Sequence, residues 1–131
     1  MGRLTVVLPE VTVHESSLEH FAYDGPQAVL EFDDADERRI RLVFPGWQAI
    51  RITTVDCFRV NSLFIDGRLV RSLLEVHDSP WLRELSAELS RTDYSATFMD
   101  KSRHFIVFLG DNVLEVAAYH FTWSRVSPID R

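Results

Sequence analysis

Apolar and polar residues alternate along most of the chain, and a period of two predicts β-strands rather than helices. The clearest pair is QAVLEFD (residues 27–33) followed by RIRLVF (39–44). If Asp33 pairs with Arg39, Phe32 falls opposite Ile40 and Leu30 opposite Leu42 on one face, and Glu31 falls opposite Arg41 on the other. Cross-strand pairs of either kind contribute ~0.2–1 kcal/mol each, and a slip of one residue destroys both sets together. Further strands are expected at residues 4–8, stopped by Pro9, and at 48–60. At 18–23 a helix competes, but the segment is short and ends in Asp24-Gly25-Pro26, a turn signal that favours a strand. Residues 69–76 suit a strand or a short helix, with the strand preferred. The one convincing helix start is Asp78 or Ser79 as cap, Pro80 at the first helical position, and an apolar stripe of Trp81, Leu82, Leu85 and Leu89, running to about residue 90.

The stretch HFIVFLGDNVLEVAAYHF (104–121) has two apolar runs on either side of Gly110, Asp111 and Asn112. A two-residue loop, Gly110-Asp111 or Asp111-Asn112, places Phe105, Val107, Leu109, Leu114, Val116 and Ala118 on one wholly apolar face. An odd-numbered loop would put the carboxylate of Glu115 among them, which is costly without a partner. In the even register His120 leaves from the apolar side and His104 from the other, so the two do not share an ion. His104 and Glu115 share a face but are expected about four residue steps apart, well over 10 Å at ~3.3 Å per residue. On this reading both histidines are strand-end residues, and Glu115 is solvated or paired with a neighbouring arginine.

These elements predict an α+β fold, mainly an antiparallel, strongly curved β-sheet or incomplete barrel, with one principal α-helix at residues 79–90 packed on it. The chain of 131 residues has the size of a single domain, with a short C-terminal tail expected from about residue 124.

Composition adds limits. At 46% hydrophobic and 26% charged, the chain is globular rather than disordered and long enough to bury a core without staples. Cys57 is the only cysteine; in its β-branched surroundings it is expected to be a buried, inert thiol, and the lack of a possible disulfide fits a reducing compartment. No apolar run matches a signal h-region or the ~18 residues of a membrane span, so the expectation is a soluble, cytoplasmic protein with no membrane partner. A net charge of −6 argues against nucleic acid and is compatible with a basic partner.

Candidate chemistry is sparse. Asp33, Asp34, Asp36 and Glu37 crowd a hairpin tip, but they lack the alternation, central glycine and distant glutamate of a calcium loop, and Arg38 and Arg39 compete for them. The tip is therefore expected to be a solvated turn or a protein-binding patch. His14 and His20, with Glu15 and Glu19 between them, lie too far apart on a strand for one ion. His77-Asp78-Ser79 is a triad only in sequence, and triads converge in space. A nucleophile elbow, phosphate loop and CxxC are absent. No catalytic residue, metal ligand or cofactor is nominated. Trp81 is expected in the core, Trp47 partly exposed in a turn, and Trp123 either capping the core or at a dimer contact. The candidate partner-binding residues are thus Asp33, Asp34, Asp36, Glu37, Glu15, Glu19, Trp47 and Trp123.

HESSLEHFAYDG, AVLEFDD and RRIRLVF resemble the opening meander of small bacterial domains of unknown function; LLEVHDSPWLREL and HFIVFLGDNVLEVAAYHF resemble the closing strand–helix–hairpin of the same group. The likeness spans residues 14–121. It implies the general look of bacterial toxin immunity proteins, which neutralise a toxin by binding it. It transfers no catalytic residue, because its motifs mark a fold. The leading expectation is a non-enzymatic protein-binding module, an immunity-type inhibitor that occludes a basic partner. The alternatives are a self-associating structural or accessory protein, with Trp47 and Trp123 at a homodimer interface, and a small enzyme or ligand binder in which His14, His20 or His77 meets an acid.

Overall fold

The computed structural model describes residues 2–127. Among them the strands are β1 (Leu4–Val6), β2 (His20–Tyr23), β3 (Gln27–Asp33), β4 (Arg39–Pro45), β5 (Ala49–Thr54), β6 (Phe64–Ile65), β7 (Arg68–Leu69), β8 (Leu74–Val76), β9 (Arg103–Phe108), β10 (Asn112–Ala118) and β11 (Thr122–Arg125). One α-helix, α1, spans Pro80–Thr92. The architecture is α+β and antiparallel. Its strands divide between two open sheets, β1-β8-β9-β10-β5 and β11-β4-β3-β2, with β6-β7 as a separate ribbon; neither sheet closes on itself.

The two predicted hairpins set the layers. β3 and β4 pair in the expected register, Asp33 with Arg39 and Leu30 with Leu42. β9 and β10 pair so that Val107 meets Leu114 and Phe105 meets Val116. The Leu109 amide bonds the Asn112 carbonyl across Gly110-Asp111, and Gly110 takes φ 95°, a value that suits glycine in a tight turn. Ala28, Leu30, Phe32, Ile40, Leu42 and Phe44 of one sheet pack on Phe105, Val107, Leu114, Val116 and Ala118 of the other, giving the main core.

The five-stranded sheet is also covered on its outer face. Leu63, Leu74, Val76, Ile106, Phe108 and Val113 form a second cluster, with Val55, Phe58, Val60, Ile65 and Leu69 packed against it. β10 is therefore apolar on both sides from Val113 to Ala118, as expected of a strand buried on both faces. Glu115 is the one charged residue in that run, and the site below is built on it.

Several boundaries differ from the expected ones for local reasons. The strand begun at Ala49 ends at Thr54, where the Val55 amide bonds the Asp111 carbonyl. Two 3-10 turns follow, Val55–Cys57 and Val60–Leu63. Within 69–76 only Leu69 and Leu74–Val76 are strand; between them Ser72 turns inward, its Oγ lying 2.9 Å from the carbonyls of both Leu8 and Val11. Cys57 is exposed, not buried. The tail expected from residue 124 is instead strand through Arg125, with Trp123 opposite Leu42 and Val126 buried; what remains of it, residues 128–131, lies outside the described residues. Among the described residues no helix is long and apolar enough to cross a membrane.

Candidate functional site

The hairpin brings His104 and Glu115 together. Glu115 lies opposite Ile106 and His104 opposite Ala117, so the two side chains are diagonal neighbours, within reach of each other across a ladder. The separation along the strand is that between His104 and Ile106, two residues and not four. His104 Nε2 stands 2.8 Å from Glu115 Oε1, and Nδ1 stands 2.7 Å from Ser79 Oγ. From the other flank Arg51, directly opposite Glu115 on β5, grips the carboxylate with Nε at 2.7 Å and Nη2 at 2.8 Å. Glu115 is 1% exposed, so the expectation of a solvated glutamate fails, while pairing with an arginine holds; His104 lies near the end of β9 as expected, but is buried and bonded at both ring nitrogens. Trp81 stands edge-on to His104 at 5.0 Å and carries the Arg51 guanidinium over its ring at 4.5 Å. It is half-buried rather than a core residue.

The electrostatics follow from these partners. Burial by itself pushes the Glu115 carboxyl up. Hydrogen bonds from His104 and Arg51, with the Arg51 charge, more than offset it and hold the group below the ordinary 4.5. The hydrogen bond to Glu115 raises Arg51 above its ordinary value against the opposing effect of burial. A carboxylate only accepts, so His104 Nε2 carries a proton. Ser79 Oγ accepts the Leu82 amide at 3.1 Å as cap of α1 and shares its second hydrogen bond with His104 Nδ1.

A hydroxyl on an imidazole backed by a carboxylate is the bonding pattern of an acyl-transfer triad, but burial separates this one from substrate. Ser79 is 4% and His104 3% exposed. The neighbouring cavity, about 160 Å³, is lined by Arg51, Trp81, Glu84, His104 and Glu115 among others, and Ser79 is not part of its wall. A nucleophile must reach a reacting carbon. What this chain of bonds does is tie α1 to β9, β10 and β5. The tie matters because no residue of α1 is itself fully buried.

The other titratable candidates disperse. His14 Nδ1 accepts the Ser16 amide at 3.0 Å, and His77 Nε2 meets Thr5 Oγ1 at 2.8 Å, not Ser79. The acidic tip is partly compensated by its own arginines. Asp34, 2% exposed, accepts the amides of Asp36 and Arg38 and the Arg38 guanidinium. Asp36 also pairs with Arg38, and Asp33 with Arg39. Glu37 is exposed at φ 63°. Trp123 packs on the main core beneath Arg125.

Glu19 and Trp47 lie at opposite ends of the open side of the two-sheet sandwich, Glu19 beside Asn112 and Trp47 beside Tyr23 and Asp24. β2 and β5 are edge strands of different sheets. They run alongside each other in opposite directions. At one end Asn112, the partner of Thr54, lies 3.4 Å from Glu19. At the other, Trp47 meets Tyr23 edge-on at 5.5 Å and donates its indole N–H to the Asp24 carbonyl. Between the strands Phe21, Trp47 and Ile50 are only partly buried against the main core. Leu18, Tyr23 and Ile52 are 77%, 66% and 55% exposed. Glu15, Asp56 and Asp111, all exposed, lie with Glu19 toward the end that carries the Gly110-Asp111 turn, the hairpin tip of β9 and β10.

Comparison of the chain with protein-family models, with curated proteins and with solved structures finds no match.

Proposed function

We propose that the protein is a non-enzymatic binding module that captures a basic protein partner at the opening between β2 and β5, in the manner of an immunity-type inhibitor. The observation that carries this reading is the opening itself: an apolar strip of Phe21, Tyr23, Trp47, Ile50 and Ile52 with carboxylates at one end. Apolar and aromatic centres with a polar rim are the anatomy of protein interfaces. The net charge of −6 adds long-range attraction for a cationic partner and raises the association rate. Inhibition would be by occlusion, with no chemistry asked of Ser79 or His104. Self-association through Trp47 and Trp123 has less support, since Trp123 is packed in its own core.

The test is capture with tagged protein at low salt, identification of any stoichiometric basic partner, and measurement of its association rate across ionic strengths. The rate is expected to fall steeply as salt rises. A rate that is flat from low to high salt removes electrostatic steering from the mechanism, and capture of no protein partner removes the binding reading.

A further inference from the structure

We infer that the partner enters this opening as an extended segment added antiparallel to the outer edge of β5, its basic residues preceding a run of alternating apolar ones. The inference rests on the protein-binding reading above and specifies its mode.

Ladder parity identifies the free backbone groups. In an antiparallel pair, hydrogen-bonded and non-hydrogen-bonded positions alternate. The Val55 amide bonds the Asp111 carbonyl, in line with the β5–β10 register that places Thr54 opposite Asn112. Thr53, Arg51 and Ala49 are therefore the residues bonded to β10, and the N–H and C=O groups of Ile50, Ile52 and Thr54 point away from the sheet. On β2 the Asp24 amide bonds the Gln27 carbonyl, so only Phe21 and Tyr23 point outward. The Tyr23 end of that strand is also covered by Trp47. β5 thus offers the longer and less obstructed edge.

Natural edge strands are protected by lysine, proline or bulges. β5 reads AIRITT, without proline, and its one cation, Arg51, is turned to the opposite face and held by Glu115. Ile50 and Ile52 lie opposite Val116 and Leu114, so their side chains lean toward the main core. Residues of an added strand directly opposite them share that face and meet the apolar strip, while alternate residues face outward. Charge fixes which end of the segment is basic. An antiparallel segment begins beside Thr54, the end at which Glu15, Glu19, Asp56 and Asp111 gather. Arg71 borders a cavity with Glu15, its guanidinium lying over the Phe108 ring, and offsets part of the charge there; Glu19, Asp56 and Asp111 remain to meet an incoming lysine or arginine.

The probe is a synthetic peptide, Lys-Arg-Val-Thr-Val-Thr-Val, compared with its reversed sequence and with a form N-methylated at the three valines, all added to isotope-labelled protein. The basic-first peptide is expected to slow amide exchange at Ile50, Ile52 and Thr54 by roughly tenfold. The reversed and N-methylated peptides are expected to leave those amides unchanged. Equal protection by the reversed peptide overturns the antiparallel orientation. Shifts at the Trp47 indole and Ile52 methyls without slower exchange at the three amides overturn strand addition while leaving the binding reading intact. No response of backbone or side chains to either peptide overturns the inference, and the capture experiment then decides the binding reading separately.

Discussion

Replacing Glu115 by Gln tests whether the buried network holds α1 to the sheet. Gln keeps the shape but removes the charge, and its amide nitrogen would face either the His104 N–H or the Arg51 guanidinium, donor against donor. Breaking a buried ion pair by removing one partner costs about 3–5 kcal/mol. Arg51 retains 46% side-chain exposure and can turn to water, which places the cost near the lower bound, about 3 kcal/mol. For a chain of this size that lowers the melting temperature by roughly 10 °C. The effect carries a pH signature. The Glu115 pKa is held down in the folded state, so its stabilisation is fully present above the unfolded value near 4.5 and is lost as pH falls through the lower folded value. Glu115→Gln lacks that component. The gap between wild type and variant must therefore narrow on acidification. Urea unfolding followed by tryptophan fluorescence at neutral pH and at about pH 3.5 measures both. A variant that melts with wild type at neutral pH, or a gap that is constant or widens in acid, refutes the assignment.

Ser79→Ala removes the α1 cap and leaves His104 Nδ1 without its hydrogen-bond partner; we expect a loss of about 1–2 kcal/mol by chemical denaturation. The wild-type serine should also resist a serine-directed phosphonate, and labelling at Ser79 would contradict its structural role. Phe105→Ala opens the centre of the main core and should cost about 3–5 kcal/mol by the same assay. Glu37→Gly relieves a left-handed backbone, φ 63°, and should stabilise by about 1 kcal/mol, read as a higher urea midpoint; a lower midpoint would contradict strain at that position.

The β3–β4 register was legible because both faces of the pair vote for it, apolar on one side and charged on the other. The even-numbered β9–β10 loop is present, but the carboxylate is buried in that register too; the arrangement holds because the outer face supplies Arg51 and His104 as partners for Glu115. That same residue hid the site. In the observed register Glu115 and His104 are diagonal neighbours two residues apart along the strand, and reckoning that separation as four steps concealed their contact. The contribution of Arg51 depends on β5 lying beside β10, a long-range pairing that periodicity does not encode. The signal available was a lone carboxylate inside an otherwise apolar run, since such a group demands partners when both faces of the strand are covered. At the acidic tip the expected competition is present, Arg38 holding Asp34 and Asp36 and Arg39 holding Asp33; the burial of Asp34 beneath its own turn was not legible from charge alone. Glu19 and Trp47 were nominated separately and fall at opposite ends of one side of the molecule, because β2 and β5 are edge strands of different sheets.

The most direct test of the binding account is capture at low salt by three forms of the tagged protein: wild type, Ile52→Asp combined with Glu19→Lys at the opening, and Tyr94→Ser combined with Phe98→Ser on a separate exposed patch. The account predicts one stoichiometric basic protein with wild type and with the Tyr94/Phe98 variant, and its loss with the Ile52/Glu19 variant. Equal capture by all three, or loss confined to the Tyr94/Phe98 variant, contradicts it.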